Sequence, residues 1–239
     1  MEMVQIEAIL NSETGNSAGN AMLNHNLPVD KMKITVGIIF ILVLTGCAGH
    51  LNYTPPASPP PEINSIVINK PRDVVWDDMI PKIAEKFYVI NNIDKSSGLI
   101  NISYSGNPEA YIDCGSGESY VKNLKGERTY RFPLASASQR YERMDKGRLF
   151  YVHRTISLNG RMNLIFKKLG ENKTKITAST KYVLTRVKTT TLIGSNRSQT
   201  KNDTISFNSN SSATFPNSVA NARCQPTGKF EEDILSLAK

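Results

Sequence analysis

Histidine, cysteine and paired carboxylates are the side chains best able to do chemistry, and this chain of 239 residues has few of them: three histidines and three cysteines. His25 and His50 precede the predicted folded part, which leaves His153. A Ser-His-Asp triad needs only one histidine, but no Gly-x-Ser-x-Gly elbow accompanies it, so His153 reads as a strand histidine on a polar face. A His/Cys zinc set lacks ligands. Asp77-Asp78 and Glu231-Glu232-Asp233 fall in predicted helical turns, where carboxylates face solvent or the positive end of a helix dipole. Gly115-Ser116-Gly117 has no lysine at phosphate-loop spacing. The expectation is a protein with no catalytic activity, no cofactor and no metal.

The chain carries its address near the front. Lys31-Met32-Lys33 is followed by the apolar run 34–44 and then by Thr45-Gly46-Cys47-Ala48. A basic flank, a short apolar block and a small-residue exit make a secretory signal. The block is shorter than the ~20 residues an ordinary spanning helix needs. Leu44-Thr45-Gly46-Cys47 resembles the lipobox of bacterial lipoproteins. The resemblance implies cleavage before Cys47 and lipidation of Cys47, with acyl chains such as palmitate. Ala48, standing where aspartate would retain the protein at the inner membrane, implies an outer-membrane anchor with the domain facing the periplasm. The alternative is a short anchor that is never cut. Residues 32–46 are then the signal peptide, and residues 1–31 are a gene-model extension or an unusually long n-region. Without residues 1–46 the chain holds 27 Lys/Arg and 17 Asp/Glu, a net of +10. Cys114 and Cys224 remain, and an even pair in an exported protein reads as a disulfide; two buried free thiols are the alternative.

One basic segment stands out. Residues 121–154 hold nine Lys/Arg against three Asp/Glu. Within it Arg128, Tyr130, Arg131, Arg140, Tyr141 and Arg143 interleave, and Arg and Tyr are enriched at interfaces. These six residues are the candidate partner-binding set, for an envelope protein or an anionic envelope polymer. Nucleic acid fits the composition but not the compartment. Solvated strands in a basic protein are the plain alternative.

The elements that must position these residues follow from periodicity. Residues 50–61 are proline-rich, so residues 47–61 are expected to form a stiff, extended tether, with a single periplasmic domain over 62–239. Pro71 opens a helix whose apolar face is Trp76, Met79, Ile80, Ile83 and Phe87, kinked at Pro81. Residues 88–94 and 99–104 read as a hairpin around Lys95-Ser96-Ser97-Gly98. Phe150, Val152, Ile156 and Leu158 alternate up to Asn159-Gly160, a strong hairpin signal. Met162, Leu164 and Phe166 then return, and a turn at 170–173 leads into a third strand. Residues 189–221 contain 19 Ser, Thr or Asn and read as weakly ordered, with one strand near Thr204 to Phe207. A short amphipathic helix begins at Lys229.

This order predicts an α+β domain, a curved antiparallel sheet with two helices on one face. The pattern Pro71…Val75-Trp76…Ile83 and then Gly98-Leu99-Ile100 resembles the helix-grip domains of outer-membrane lipoproteins, such as the C component of the β-barrel assembly machine. Two functions are consistent with the sequence. One is a lipid-anchored envelope interaction module, in an assembly or secretion complex. The other is a carrier holding a small apolar or lipid ligand between helix and sheet. Chains of this composition are not collagens, multi-span membrane proteins or disulfide-dense miniproteins.

Overall fold

Even-numbered residues from Val152 to Phe166 and from Thr174 to Arg186 are buried, while the odd-numbered residues between them are exposed or half-buried. A strand with one covered face requires this period of two. In a computed structural model, which describes residues 48–57, 64–86, 88–195, 197–216 and 221–239, the two stretches are the longest elements of the fold. In chain order the elements are β1 (Ala48–Thr54), β2 (Ser65–Ile68), α1 (Arg72–Glu85), β3 (Val89–Asp94), β4 (Leu99–Gly106), β5 (Ile112–Asp113), β6 (Ser116–Asn123) and β7 (Gly126–Pro133). Then follow β8 (Ser138–Asp145), β9 (Arg148–Gly170), β10 (Lys173–Leu192), β11 (Ser198–Asn208), β12 (Ala213–Thr214), β13 (Arg223–Pro226) and α2 (Lys229–Ser236).

β9 and β10 form one long antiparallel ribbon, paired from Lys173↔Gly170 to Leu192↔Phe150. Different short strands flank its two ends. Near the β9–β10 turn, β4 pairs the second half of β9, β3 pairs β4, and β2 pairs the start of β10. At the far end β8 pairs the first half of β9 and β11 pairs the second half of β10. These seven strands make the main sheet. A smaller sheet of order β1-β6-β7 carries its own apolar cluster, in which Phe132 and Leu51 meet Tyr141 and Val152 of the main sheet.

The inward face near the turn is dry. Val75, Trp76, Met79 and Ile83 of α1 and Phe230, Ile234 and Leu235 of α2 are buried with the ribbon's Leu158, Met162, Leu164, Phe166, Ile176, Ala178 and Tyr182. Trp76 meets Phe166 edge-on at 5.1 Å. Phe230 lies within 5.1 to 6.4 Å of Tyr88, Tyr104, Tyr111 and Tyr182. Glu231 is 2% exposed, and its carboxylate accepts hydrogen bonds from the Tyr182 hydroxyl and from Ser209 Oγ. Burial together with this carboxylate raises Tyr182 above the usual phenol range. Lys82 of α1 donates to Leu237 O at 2.8 Å, a cation at the negative end of α2. The Cys114–Cys224 disulfide joins the segment after β5 to β13.

Several expectations are corrected. The fold is not α+β with two helices on one face of a curved sheet. Strands make up 62% of the described residues and helices 12%, in several antiparallel sheets with two short helices. Asn159-Gly160 is not a turn: β9 runs through it without a break, with Gly160 opposite both Tyr104 and Tyr182. A Cβ on Gly160 would sit 3.2 Å from the Phe230 ring, so the glycine makes room for α2. Residues 47–61 are not one extended tether, because Ala48–Thr54 is strand β1, bonded to β6. The Ser/Thr/Asn-rich stretch forms the end of β10 and all of β11, tied by Thr189–Thr200 and Thr191–Ser198 side-chain hydrogen bonds. The helix does run through Pro81, and the hairpin over 95–98 forms, with Gly98 at φ +69°.

Candidate functional site

The six residues of the basic segment do not form one exposed surface. Tyr141 is 8% exposed and stacks on Phe132 at 4.6 Å, in the small core under β7. Tyr130 packs half-buried against the same cluster. Arg128 pairs with Glu142 at 2.7 Å, Arg131 with Glu118 at 2.6 Å, and Arg143 with Asp145 at 3.2 Å. Of the six, only Arg140 is an exposed cation outside the ion pairs of the described residues. His153 sits on the outward face opposite Arg140 and Thr189, with Nε2 3.3 Å from Ser138 Oγ. Cys47 lies outside the described residues.

The charge that sequence reading missed lies in the ribbon. β9 and β10 each hold five Lys/Arg and no Asp or Glu. Their register sets like against like three times: Arg154↔Lys188, Arg161↔Lys181 and Lys167↔Lys175. Like charges directly opposite on a sheet are destabilising, so pairwise stability does not account for this arrangement. A sequence signal was available: both strands keep a strict alternation and both lack acids.

Two of these pairs lie outward. Arg161, Lys167 and Lys181 are exposed and Lys175 half-buried, and none of them takes part in an ion pair among the described residues. Six residues separate Arg161 from Lys167, about 20 Å along a strand. Around them Asn101 Nδ2 is bonded to Asn163 Oδ1 at 2.6 Å and Thr185 meets Thr204 at 3.4 Å, while exposed Ile165 and Val67 lie beside Lys167 and Lys175 on the same face. Among the described residues no element covers this face. Both β1-β6-β7 and the helices meet the opposite, even-numbered side.

The third pair lies inward, beneath the small sheet. Lys188 faces Arg154 on one side and Lys201 on the other. Arg186, 4% exposed, is neutralised by Asp203 at 2.6 Å, donates to Pro216 O and lies 4.3 Å over the Phe215 ring. Arg154, 5% exposed, has no carboxylate partner among the described residues. It donates to Leu134 O at 2.7 Å and to Pro133 O at 3.3 Å, and its guanidinium lies 5.7 Å from the Phe132 ring centre. Its Nε, like that of Arg143, is buried without an acceptor. Burial, with a further contribution from the Arg186 charge, draws Arg154 down to about 10. Burial, then the charges of Arg186 and Arg143, lowers Lys188 as well. Arg143, Arg154, Arg186 and Lys188 all line one cavity of about 60 Å³.

The space between α1, α2 and the sheet is filled: Trp76, Met79, Ile83 and Phe230 are each at most 2% exposed. No helix among the described residues is long and apolar enough to cross a membrane. No family model matches the chain, and neither a curated protein nor a solved structure shows significant similarity to it.

Proposed function

We propose that the chain is a lipid-anchored, non-catalytic binding module of the bacterial outer membrane, facing the periplasm, that holds an anionic envelope polymer against the open face of its long sheet. The observation that carries this reading is the outward pair of like-charge steps, Arg161↔Lys181 and Lys167↔Lys175. A bound polyanion would offset the repulsion that each step builds in. The face carries hydroxyl and amide ladders between its cations, with Ile165 and Val67 as scattered apolar side chains. Tyr151 lies at the far end of this face, and among the described residues the outward side of the stretch from Asn159 to Lys167 and its partners on β10 has no aromatic anchor of the kind on which protein partners concentrate their binding energy, which favours a polymer over a protein.

Two measurements test the reading. Co-sedimentation of the purified domain with isolated cell-wall sacculi should fall with added salt, because exposed charges are screened beyond ~8 Å at physiological ionic strength. Lys175→Glu should lower it further while raising fold stability by about 0.2–1 kcal/mol, since it converts a like-charge step into an opposite-charge one. Binding unchanged in Lys175→Glu across a salt series refutes the polymer reading. The anchor is tested separately. Cys47→Ser should block processing and release the protein from membranes; a processed, membrane-bound mutant contradicts it.

A further inference from the structure

We infer that the cavity between the small sheet and the far end of the ribbon binds a compact organic anion, a carboxylate on a short apolar body. This site is independent of the open face: it lies on the opposite side of the sheet and uses different cations.

The charge count carries the inference first. Four cations line the cavity, and two carboxylates answer two of them, Asp203 with Arg186 and Asp145 with Arg143. Arg154 and Lys188 remain. They are direct Cα partners across β9 and β10, in strands about 4.8 Å apart, and neither is in an ion pair among the described residues, although the Asp203 charge also reaches Lys188. Buried charge is costly unless it is paired. Arg154 is buried and Lys188 half-buried, and a fold that keeps them side by side gains from an anion placed between them. The unsatisfied donors point the same way: Arg154 Nε and Arg143 Nε are both buried without an acceptor, and both residues line this cavity. One carboxylate offers oxygen lone pairs to both and a counter-charge to Lys188.

The walls define the rest of the ligand. Leu51, Phe132, Leu134, Val152 and Phe215 are apolar. About 60 Å³ gives room for a few water-sized groups, not for an acyl chain. A small carboxylate with a few methylenes uses the charge and the apolar walls together, whereas inorganic phosphate would leave the walls unused. β1, which supplies Leu51, Asn52 and Tyr53 to the lining, is an edge strand of its sheet and forms one side of the cavity.

The probe is butyrate, titrated calorimetrically into the whole exported protein, with butanamide as its uncharged counterpart and inorganic phosphate as the comparison anion. Butyrate should bind saturably in the millimolar range and displace any bound phosphate, and butanamide should give no heat. Lys188→Met and Arg154→Met should each weaken butyrate by about tenfold or more. Leu51→Trp, which fills the cavity and leaves every charge in place, should abolish binding. Circular dichroism identifies the folded variants, and where Arg154→Met does not fold the other two carry the test. The inference is overturned if butyrate does not bind at tens of millimolar. It is equally overturned if butyrate binds folded Lys188→Met or Leu51→Trp as well as wild type, or if phosphate binds and butyrate does not displace it.

Discussion

The two ends of the β9–β10 ribbon share one sheet and one inward face, yet they bury opposite kinds of side chain. Near the turn, Met162, Leu164 and Phe166 meet Ile176 and Ala178 under Trp76 and Met79 of α1. Ten residues away, the same face presents Arg154, Arg186 and Lys188 to the small sheet. The dry end excludes water and fixes the fold. The charged end gives up part of that stability by keeping cations out of water, so it is the end where binding would bring a return. A continuous alternation specifies where a strand's inner face lies, while the identity of each inner residue sets what that stretch is for.

The largest effect of substitution is expected at the charged end. Asp203→Ala removes the counter-charge of buried Arg186 and leaves it beside Lys188 and Arg154. Breaking a buried pair in this way costs about 3–5 kcal/mol, read as a loss of urea midpoint. The double variant Asp203→Leu, Arg186→Met should recover most of that loss, because apolar replacement of a whole buried pair is often neutral. Failure of the double variant to recover would mean that the pair contributes more than charge balance. At the dry end, Gly160→Val pushes a branched side chain against Phe230 and should cost about 1–3 kcal/mol by overpacking. Thermal unfolding measures it, and a second change, Phe230→Leu, should relieve it.

The smallest effect lies outside both ends, at the β3–β4 turn. Asp94 accepts hydrogen bonds from the backbone and hydroxyl groups of Ser96 and Ser97, and those bonds, the Ser96 hydroxyl first, hold its carboxyl down to about 2. A carboxyl lowered on folding contributes stability that is present above its unfolded value of about 4 and is lost as pH falls through the folded value. Between about pH 4 and pH 2, Asp94→Ala should therefore lose less stability than wild type, because it has no such contribution left to lose. Equal acid sensitivity in the two proteins would show that this turn does not contribute.

Much of this was legible in the residues. The α1 stripe of Trp76, Met79 and Ile83, the turn after Gly170, the helix from Lys229 and the Cys114–Cys224 pair all emerged from spacing or parity. Asn159-Gly160 has the composition of a tight turn, but the register of the flanking residues excludes one. A two-residue turn there would pair residue 158 with residue 161 and so move the inner set to odd positions. Val152, Ile156, Leu158, Met162, Leu164 and Phe166 are all even, which is the mark of one unbroken strand. β1 was hidden by the prolines that follow it. Composition showed the strand near Thr204 to Phe207 but hid the first half of β11, whose Thr and Ser side chains serve a cross-strand ladder as readily as a loop. The cationic cavity could not be read at all, since Arg143, Arg154 and Lys188 come together only when β8, β9 and β10 take their register.

Amide hydrogen exchange along the ribbon, with and without saturating butyrate, tests the division between the two ends most directly. Butyrate should slow exchange at Val152 to Ile156, at Arg186 to Thr190 and in β1, and leave Met162 to Phe166 unchanged. Protection spread evenly along β9, or confined to the helix-covered end, would contradict it.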